Sequence, residues 1–184
     1  MDPLQIKNLV ITWCSSNSLV LYAAIVVLPG LGFPASVLLV LAGVVWGASL
    51  QTCAIALSAI ILNLLWTRWL AAGPGKHLIS RMLGKRWSRL ENLPRADLYR
   101  LTCILRVTPG LPLFAQNYIL GVLGVPLRPY LMISVPLNAL WVVGFVITGG
   151  AVFQGRAGIA ITGVCILVAG TLLIRLIRSR MRSA

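Results

Sequence analysis

The chain has 184 residues, of which 59% are hydrophobic and only 10% are charged, and its mean hydropathy is +0.93. Soluble domains carry about 25% charged residues, so this composition excludes an ordinary soluble enzyme, and it excludes a disordered chain as well. Sixteen Lys and Arg stand against three Asp and Glu, for a net charge of +13. These cations lie in a few clusters between long apolar runs, a pattern typical of integral membrane proteins and not of nucleic-acid-binding domains.

The first half contains 60 consecutive uncharged residues, from Asn8 to Thr67. One helix needs roughly 20 apolar residues to cross a bilayer, so this run must hold more than one element. The residues that divide it are Pro29, Gly30, Gly32, Pro34, Gly43 and Gly47. We predict a first helix over Leu4–Leu28, a broken stretch over Pro29–Ala48 and a second helix over Ser49–Ala72.

In the second half, two uncharged runs are long enough to span a membrane, Pro129–Gly155 and Ala157–Ile174. Before them, Leu101–Val125 is apolar but is interrupted by Arg106 and by Pro109-Gly110. The positive-inside rule places the basic residues of 73–100 and of 175–182 in the cytoplasm. If Leu101–Val125 crossed the membrane completely, the last two helices would leave residues 175–182 outside. Both clusters therefore lie in the cytoplasm only if Leu101–Val125 enters from the cytoplasm and turns back at Pro109-Gly110.

The second helix must end in the cytoplasm, at Arg68, so it begins outside. We therefore predict that Pro29–Ala48 is a hairpin that enters from the outside, with the N-terminus in the cytoplasm. At an offset of 80 residues, Pro29-Gly30-Leu31 aligns with Pro109-Gly110-Leu111, although this tripeptide could also recur by chance. Weak inverted repeats with Gly- and Pro-broken segments are typical of transporters. We therefore predict an all-α integral membrane protein with about four spanning helices and two oppositely oriented re-entrant helical hairpins in an inverted repeat.

The prediction treats residues 1–184 as a single membrane domain. Its parts are a first helix (1–28), hairpin 1 and helix 2 (29–72), a cytoplasmic amphipathic segment (73–100), hairpin 2 and helix 3 (101–155), and a last helix with a basic tail (156–184). Within the cytoplasmic segment, Lys76–Leu90 has an apolar stripe and a basic face. Such a helix lies in the membrane interface, either as a topology anchor or as a lipid sensor.

Arg106 is the main candidate for a functional residue. A charged side chain in the membrane costs about 2.5–3.5 kcal/mol on insertion scales, and no Asp or Glu lies in any apolar run to pair with it. We expect its partner to be a backbone carbonyl, water or a ligand anion, because a guanidinium binds phosphate through two parallel hydrogen bonds. The alternative is that Arg106 reaches the cytoplasmic headgroups along its own stem.

Broken backbone within a membrane must be buried in protein or line a wet cavity, and the N-termini of half-helices suit anions. Polar residues near the second break could therefore contact a ligand, although capping a hairpin or bridging helices is an equal alternative for each amide. The substrate-binding candidates are Arg106, Thr108, Pro109, Gly110, Asn117 and Asn138. The candidates in hairpin 1 are Pro29, Gly30, Pro34, Ser36 and Gly43.

Several kinds of chemistry lack their motifs in this sequence. The four cysteines form no Cys-x-x-Cys pair, and no phosphate loop or metalloprotease motif occurs, so we expect neither a metal nor another cofactor. The chain has one His and no acidic residue in an apolar run, which leaves an intramembrane hydrolase without a base. We therefore predict that the protein is not an enzyme and has no catalytic residues.

Two sets of residues form a recognisable pattern. The set in the second half is Leu105-Arg106, Pro109-Gly110, Pro112, Asn117, Gly121 and Asn138-Ala139-Leu140-Trp141. The set in the first half is Phe33-Pro34, Leu38, Ala42-Gly43 and Gly47. Over about 29–155, these residues resemble the DedA superfamily, also called the VTT-domain or SNARE-associated Golgi protein family. The resemblance implies opposed re-entrant hairpins and the translocation of phospholipids or polyprenyl phosphates, with Arg106 at the position of a proposed phosphate contact.

Two departures from that family pattern matter. Ser36 stands near the place of a hairpin Glu, and Pro112 stands where the bacterial pattern has a second Arg, which points to the Tvp-like subgroup. Proton relays in membranes are built from Asp, Glu or His. The missing acids therefore favour passive scrambling, or a flip driven by another gradient, over proton coupling.

The sequence thus predicts a lipid transporter or scramblase that moves a phospholipid or polyprenyl-phosphate headgroup through a polar seam between the hairpins. The alternatives are a secondary transporter of a small anionic solute and a non-transporting membrane scaffold. The expected partners are membrane lipids and not nucleic acid. Assembly into a homo-oligomer is an alternative that the sequence leaves open. The expected location is the bacterial inner membrane, with both termini in the cytoplasm.

Overall fold

The computed structural model describes residues 17–73, 75, 76, 81, 94–108, 111–153 and 168, and every regular element in these ranges is a helix. The six α-helices are α1 (Ser18–Val27), α2 (Ala35–Trp46), α3 (Leu50–Ala72), α4 (Arg95–Val107), α5 (Leu113–Val122) and α6 (Leu127–Phe153). A short 3₁₀ helix, Leu28–Leu31, follows α1 directly. The predicted all-α class is therefore confirmed for the described residues.

The first break in the helical backbone, residues 28–34, lies between α1 and α2. Pro29 lies in the first turn of the 3₁₀ helix, where its missing N–H costs no hydrogen bond. Gly32 has a φ of 105°, a left-handed conformation that favours glycine. Pro34 then starts α2 from an extended conformation. Pro29, Gly32 and Pro34, which divide the apolar run in the sequence, therefore form this turn.

The second break, residues 108–112, separates α4 from α5. The last helical residue is Val107, and Pro112 precedes α5 with an extended ψ of 142°. The predicted turn at Pro109-Gly110 lies outside the described residues, but the two helix ends bracket it.

α1 and α2 form a hairpin beside the long helices. Tyr22 and Ser58 share a hydrogen bond of 3.1 Å, and Asn63 donates to the carbonyl of Val26 at 2.6 Å, so α1 runs in the same direction as α3. α2 instead runs parallel to α6, because Gly43 lies against Val146 and Ala48, just after the end of α2, lies against Gly150.

α3 and α6 run in opposite directions. Tyr130, near the start of α6, lies 3.4 Å from the carbonyl of Leu64 in the second half of α3. Ala48, just before α3, lies against Gly150 near the end of α6. Consequently α1 and α2 point in opposite directions, and the first break forms the tip between them.

The second half repeats this arrangement. α5 runs alongside α3 in the same direction, with Asn117 at Asn63 and Gly121 at Arg68 and Ala71. Adding 80 to the bounds of α1, α2 and α3 gives 98–107, 115–126 and 130–152, which nearly reproduces α4, α5 and α6. Because α3 and α6 are antiparallel, the corresponding helices of the two halves run in opposite directions.

Some predicted boundaries differ from the observed ones. The prediction ended a spanning helix at Leu28 and began hairpin 1 at Pro29, whereas Ser18–Val27 is itself one leg of the hairpin. An apolar run does not reveal where a chain reverses, because both legs are equally apolar. α4 begins at Arg95, within the predicted cytoplasmic segment, because Pro94 starts the helix there.

Other predicted parts fall outside the described residues. These are most of the first helix (4–16), nearly all of the amphipathic helix at 76–90, the last helix at 157–174 apart from residue 168, and the basic tail.

Two described helices, Leu50–Ala72 and Leu127–Ala151, are long and apolar enough to cross a membrane. In their most apolar windows, only 44% and 22% of the residues are buried in the protein. Leu50, Trp69 and Met132 are 86%, 69% and 77% exposed, respectively. Apolar side chains on the outside of apolar helices fit a lipid-facing surface, which supports the predicted membrane association.

The contact between α2 and α6 should be intolerant of added volume. A Cβ at Gly43 would overlap the carbonyl oxygen of Val146, which is backbone and cannot rotate away. We expect Gly43→Ala to lower the free energy of unfolding by about 1–3 kcal/mol, a typical cost of overpacking. Thermal unfolding in detergent would measure this effect.

Ala54→Val is the control, because it adds apolar volume at an exposed position of α3. Equal melting temperatures for the two variants would contradict the close approach of α2 and α6.

Candidate functional site

A cavity of about 430 Å³ lies where the two breaks meet. Its walls come from the first break and the start of α2, from the second break and the start of α5, and from the middle of α3 and α6. The lining residues are Gly32, Phe33, Pro34, Ala35, Ser36, Leu39, Ile60, Arg106, Thr108, Leu111, Pro112, Leu113, Gln116, Asn138, Trp141, Val142 and Phe145.

Equivalent positions of the two halves line this cavity. Three pairs at the offset of 80 residues both contribute: Gly32 with Pro112, Phe33 with Leu113, and Ser36 with Gln116. The cavity therefore lies at the interface between the inverted repeats, where transporters built this way place their binding sites.

Two helix N-termini open toward the cavity. α2 starts after Pro34 and α5 after Pro112, and neither cap residue offers a side-chain oxygen to the first-turn N–H groups. In α2 the N–H of Val37 donates to the carbonyl of Pro34 at 3.2 Å, whereas the N–H groups before it have no carbonyl four residues back within the helix. The aligned peptide dipoles add a partial positive charge. The arrangement favours an anion in the cavity.

Among the described residues that line the cavity, Arg106 is the only charged one. It is 4% exposed, and all three of its nitrogens donate hydrogen bonds. Nε donates to Ser134 Oγ at 2.9 Å, Nη1 to Gln116 Oε1 at 3.2 Å, and Nη2 to the hydroxyl of Tyr130 at 2.9 Å. Arg106 is thus held within the protein. The alternative, in which its side chain reaches outward to the headgroups, does not agree with this arrangement.

The charge of Arg106 is not compensated by any acid in the described ranges. Asp97 is the only acid there, and it pairs with Arg100 at 3.7 Å on an exposed surface. A guanidinium has five N–H donors, and the three bonds to neutral oxygens leave one hydrogen on each terminal nitrogen. Two parallel donors of this kind match two oxygens of a phosphate or carboxylate.

Tyr130 supports the guanidinium from the side away from the cavity. Its side chain is fully buried, and its ring centroid lies 5.3 Å from the Arg106 guanidinium carbon and 5.6 Å from that of Arg68. Both distances suit a cation–π interaction. Arg68 also donates to the carbonyl of Val125, so this second cation is anchored outside the cavity wall.

A buried hydrogen-bond network runs from Tyr130 to the first break. The Tyr130 hydroxyl lies 3.3 Å from Asn117 Oδ1, and Asn117 Nδ2 donates to Asn63 Oδ1 at 3.3 Å and to Thr67 Oγ1 at 3.0 Å. Asn63 then donates to the carbonyl of Val26, at the end of α1. The network satisfies a carbonyl that the break leaves without a helical partner, and it joins both hairpins through α3.

The structure brings together some of the predicted site residues. Those that line the cavity are Arg106, Thr108, Asn138, Pro34 and Ser36. Asn117 lies behind the cavity as a bridge between helices, the alternative that the sequence had left open for it.

The remaining predicted residues lie elsewhere. Pro29 and Gly30 are buried in the first break, where the carbonyl of Gly30 accepts from Tyr118 at 3.0 Å. Gly43 lies in the contact between α2 and α6. Pro109 and Gly110 lie outside the described residues.

The structure adds partners of Arg106 that the sequence analysis did not name, because side-chain oxygens bind it directly, while a ligand anion stays a prediction. Sequence reasoning missed Tyr130 and Ser134, which share one face of α6 with the predicted Asn138 at spacings of four residues. That spacing of polar groups in an apolar run is the signal that could have found them.

In the described part of the chain, no group of His, Cys, Asp or Glu could hold a metal ion. Comparisons of the chain with protein-family models, curated proteins and solved structures find no match.

Removing the Tyr130 hydroxyl should destabilise the protein. Tyr130→Phe keeps the ring but leaves Nη2 of Arg106 without its acceptor, and an unsatisfied buried group costs about 1–3 kcal/mol. Tyr22→Phe is the matched control, because its hydroxyl bonds to Ser58 on the exposed surface. We expect thermal unfolding to show a clear loss only for the first variant, and equal melting temperatures would contradict the role of Tyr130.

Proposed function

We propose that the protein moves lipids with a phosphate-containing headgroup across a membrane, as a transporter or scramblase. The observation that supports this proposal best is Arg106, a buried cation with two unused N–H donors in a cavity between two oppositely directed hairpins. Two helix N-termini open into the same cavity. Together these donors offer an anionic headgroup replacements for the hydrogen bonds that it loses on leaving water.

In this proposal the chain is a multi-pass protein in which α3 and α6 cross the membrane. α3, with 23 residues, is about 34 Å long and would cross a hydrocarbon core of roughly 30 Å. α1–α2 and α4–α5 would be re-entrant hairpins that enter from opposite faces, with their tips at mid-membrane. The predicted last helix at 157–174 would be a third span, and the positive-inside rule would place the basic residues of 175–182 in the cytoplasm, here of a bacterial inner membrane. Because α1 is a leg of the first hairpin, the predicted first span at 4–28 and the cytoplasmic N-terminus are not kept in this proposal.

The proposed movement divides the lipid between two environments. The phosphate would occupy the cavity and bind Arg106, while the acyl or prenyl chains stay in the bilayer. The apolar part of the wall, which includes Leu39, Ile60 and Phe145, would contact the carbon atoms next to the phosphate. Within the described ranges no acid lies near the cavity, which favours passive scrambling.

This mechanism agrees with the resemblance to the DedA or VTT-domain superfamily, which we retain as part of the proposal. It requires no cofactor and no catalytic residue, and its partners are the lipids themselves. The donors of Arg106 would also fit a small soluble oxyanion, so a secondary transporter of such an anion is the second candidate.

Reconstitution into liposomes with fluorescently labelled phospholipid would test the proposal. We expect the wild-type protein to move lipid between leaflets, and Arg106→Ala to slow this at least about tenfold, since a charge-assisted hydrogen bond contributes about 1.5–3 kcal/mol. Arg106→Lys keeps the charge but loses the two parallel donors, so it should show an intermediate rate.

Arg100→Ala is the matched control, because it removes an exposed cation from the same helix. Melting temperatures of all variants would separate misfolding from loss of transport. If a well-folded Arg106→Ala protein moved lipid at the wild-type rate, the proposed role of Arg106 would be wrong. Uptake of phosphate into the liposomes without any lipid movement would instead support the soluble-anion transporter.

A further inference from the structure

We propose that the cavity selects anionic phospholipid headgroups that carry hydroxyl groups, such as phosphoglycerol, and disfavours headgroups that carry an ammonium. This inference rests on the proposed function and specifies its substrate class. Two independent features of the cavity carry it: the sign of its charge, and the neutral oxygens opposite Arg106.

The charge of the cavity disfavours an ammonium group. Arg106 and the N-termini of α2 and α5 are all positive, and none of the described residues in the cavity wall is acidic. A phosphate diester carries one negative charge, which compensates that of Arg106. A zwitterionic headgroup adds a second cation without a counter-charge, and a buried charge without a partner is strongly unfavourable.

The aromatic part of the wall gives an ammonium little compensation. The rings of Trp141 and Phe145 stack on each other, with centroids 6.2 Å apart and an angle of 23° between their planes. One face of each ring is therefore used within the pair, and these faces cannot enclose a cation as an aromatic cage does.

Neutral oxygens in the cavity favour hydroxyl groups. Asn138 Nδ2 donates to the carbonyl of Ser134 at 2.7 Å, which fixes the amide so that Oδ1 stays an acceptor. No described residue donates to this oxygen, and none bonds to the hydroxyl of Ser36 across the cavity. A ligand hydroxyl can donate to the first oxygen and accept from the second hydroxyl.

The spacing of these groups fits a phosphate followed by a short polyol. Ser134, which binds Arg106, and Asn138 are one helical turn apart on α6, a separation of about 6 Å. Arg106 and Asn138 line the same cavity, so one glycerol headgroup can place its phosphate at the first and a hydroxyl at the second.

Liposomes that contain one labelled lipid at a time would test this selection. The probes are phosphatidylglycerol, phosphatidylethanolamine and phosphatidic acid with identical chains. We expect wild-type protein to move phosphatidylglycerol about tenfold faster than phosphatidylethanolamine, the factor that corresponds to one unfavourable contact of about 1.4 kcal/mol. Phosphatidic acid, which lacks the headgroup hydroxyls, should move more slowly than phosphatidylglycerol.

Two substitutions of Asn138 separate the charge from the hydroxyl contact. Asn138→Asp supplies a carboxylate of the same shape, so it should raise the phosphatidylethanolamine rate relative to phosphatidylglycerol at least about fivefold. Asn138→Leu should slow phosphatidylglycerol and leave phosphatidic acid unchanged. Gln51→Glu, which adds the same charge at an exposed position at the start of α3, is the control and should change neither ratio.

The outcomes distinguish this inference from the proposed function. Movement of all three lipids at one rate would overturn the selection but leave lipid transport intact. Unchanged ratios in both Asn138 variants would overturn the assignment of Asn138 to the headgroup. If wild-type protein moved none of the lipids, the proposed function itself would be wrong, and this inference with it.

Discussion

The arrangement of the site depends on one constraint, a guanidinium that is buried without a carboxylate. Arg106 is 4% exposed, and the groups that hold it are the neutral oxygens of Ser134, Gln116 and Tyr130. Neutral acceptors orient a cation but do not cancel its charge, so the site is satisfied in geometry and unsatisfied in charge. These three residues come from α5 and α6, which means that the cation also fixes the second hairpin against the long helix. An anion that enters the cavity completes this arrangement electrostatically.

The inverted repeat explains where the cavity lies, and the difference between the halves explains why it holds a single cation. At the offset of 80 residues, Arg106 corresponds to Val26. In the first half this position contributes its backbone carbonyl, which accepts from Asn63 and Trp66 and so ends α1. In the second half the corresponding position contributes its side chain, because the Arg106 guanidinium binds Ser134, Gln116 and Tyr130. The similar backbones of the two halves therefore bring two hairpins together at the cavity. The difference between Val26 and Arg106 gives this cavity its positive charge.

The sequence predicted the features that local chemistry dictates. Proline and glycine form the first break, Pro112 starts α5 after the second, and a charge within an apolar run marked Arg106. It could not predict the residues that surround Arg106, because Tyr130 and Ser134 reach it only through the packing of α6 against α4. It also misplaced the first hairpin, since the legs before and after Pro29 are equally apolar and only tertiary contacts such as that of Tyr22 with Ser58 reveal the direction of α1. The helix breaks could be predicted from local residues, whereas the pairing of distant helices could not.

The two sides of the cavity are held by different kinds of contact, and this difference bears on how a lipid could pass. α2 lies directly against α6 through Gly43 and Gly149, so their backbones touch, and packing of this kind responds little to a ligand. α4 is joined to α5 and α6 by the side-chain hydrogen bonds of Arg106. A phosphate that binds the two unused donors of Arg106 can also accept the hydrogen bonds that the side-chain oxygens give up if α4 moves away. If lipid moves through this seam, the side formed by α4 is therefore where opening costs least, because there the ligand offsets the contacts that are lost.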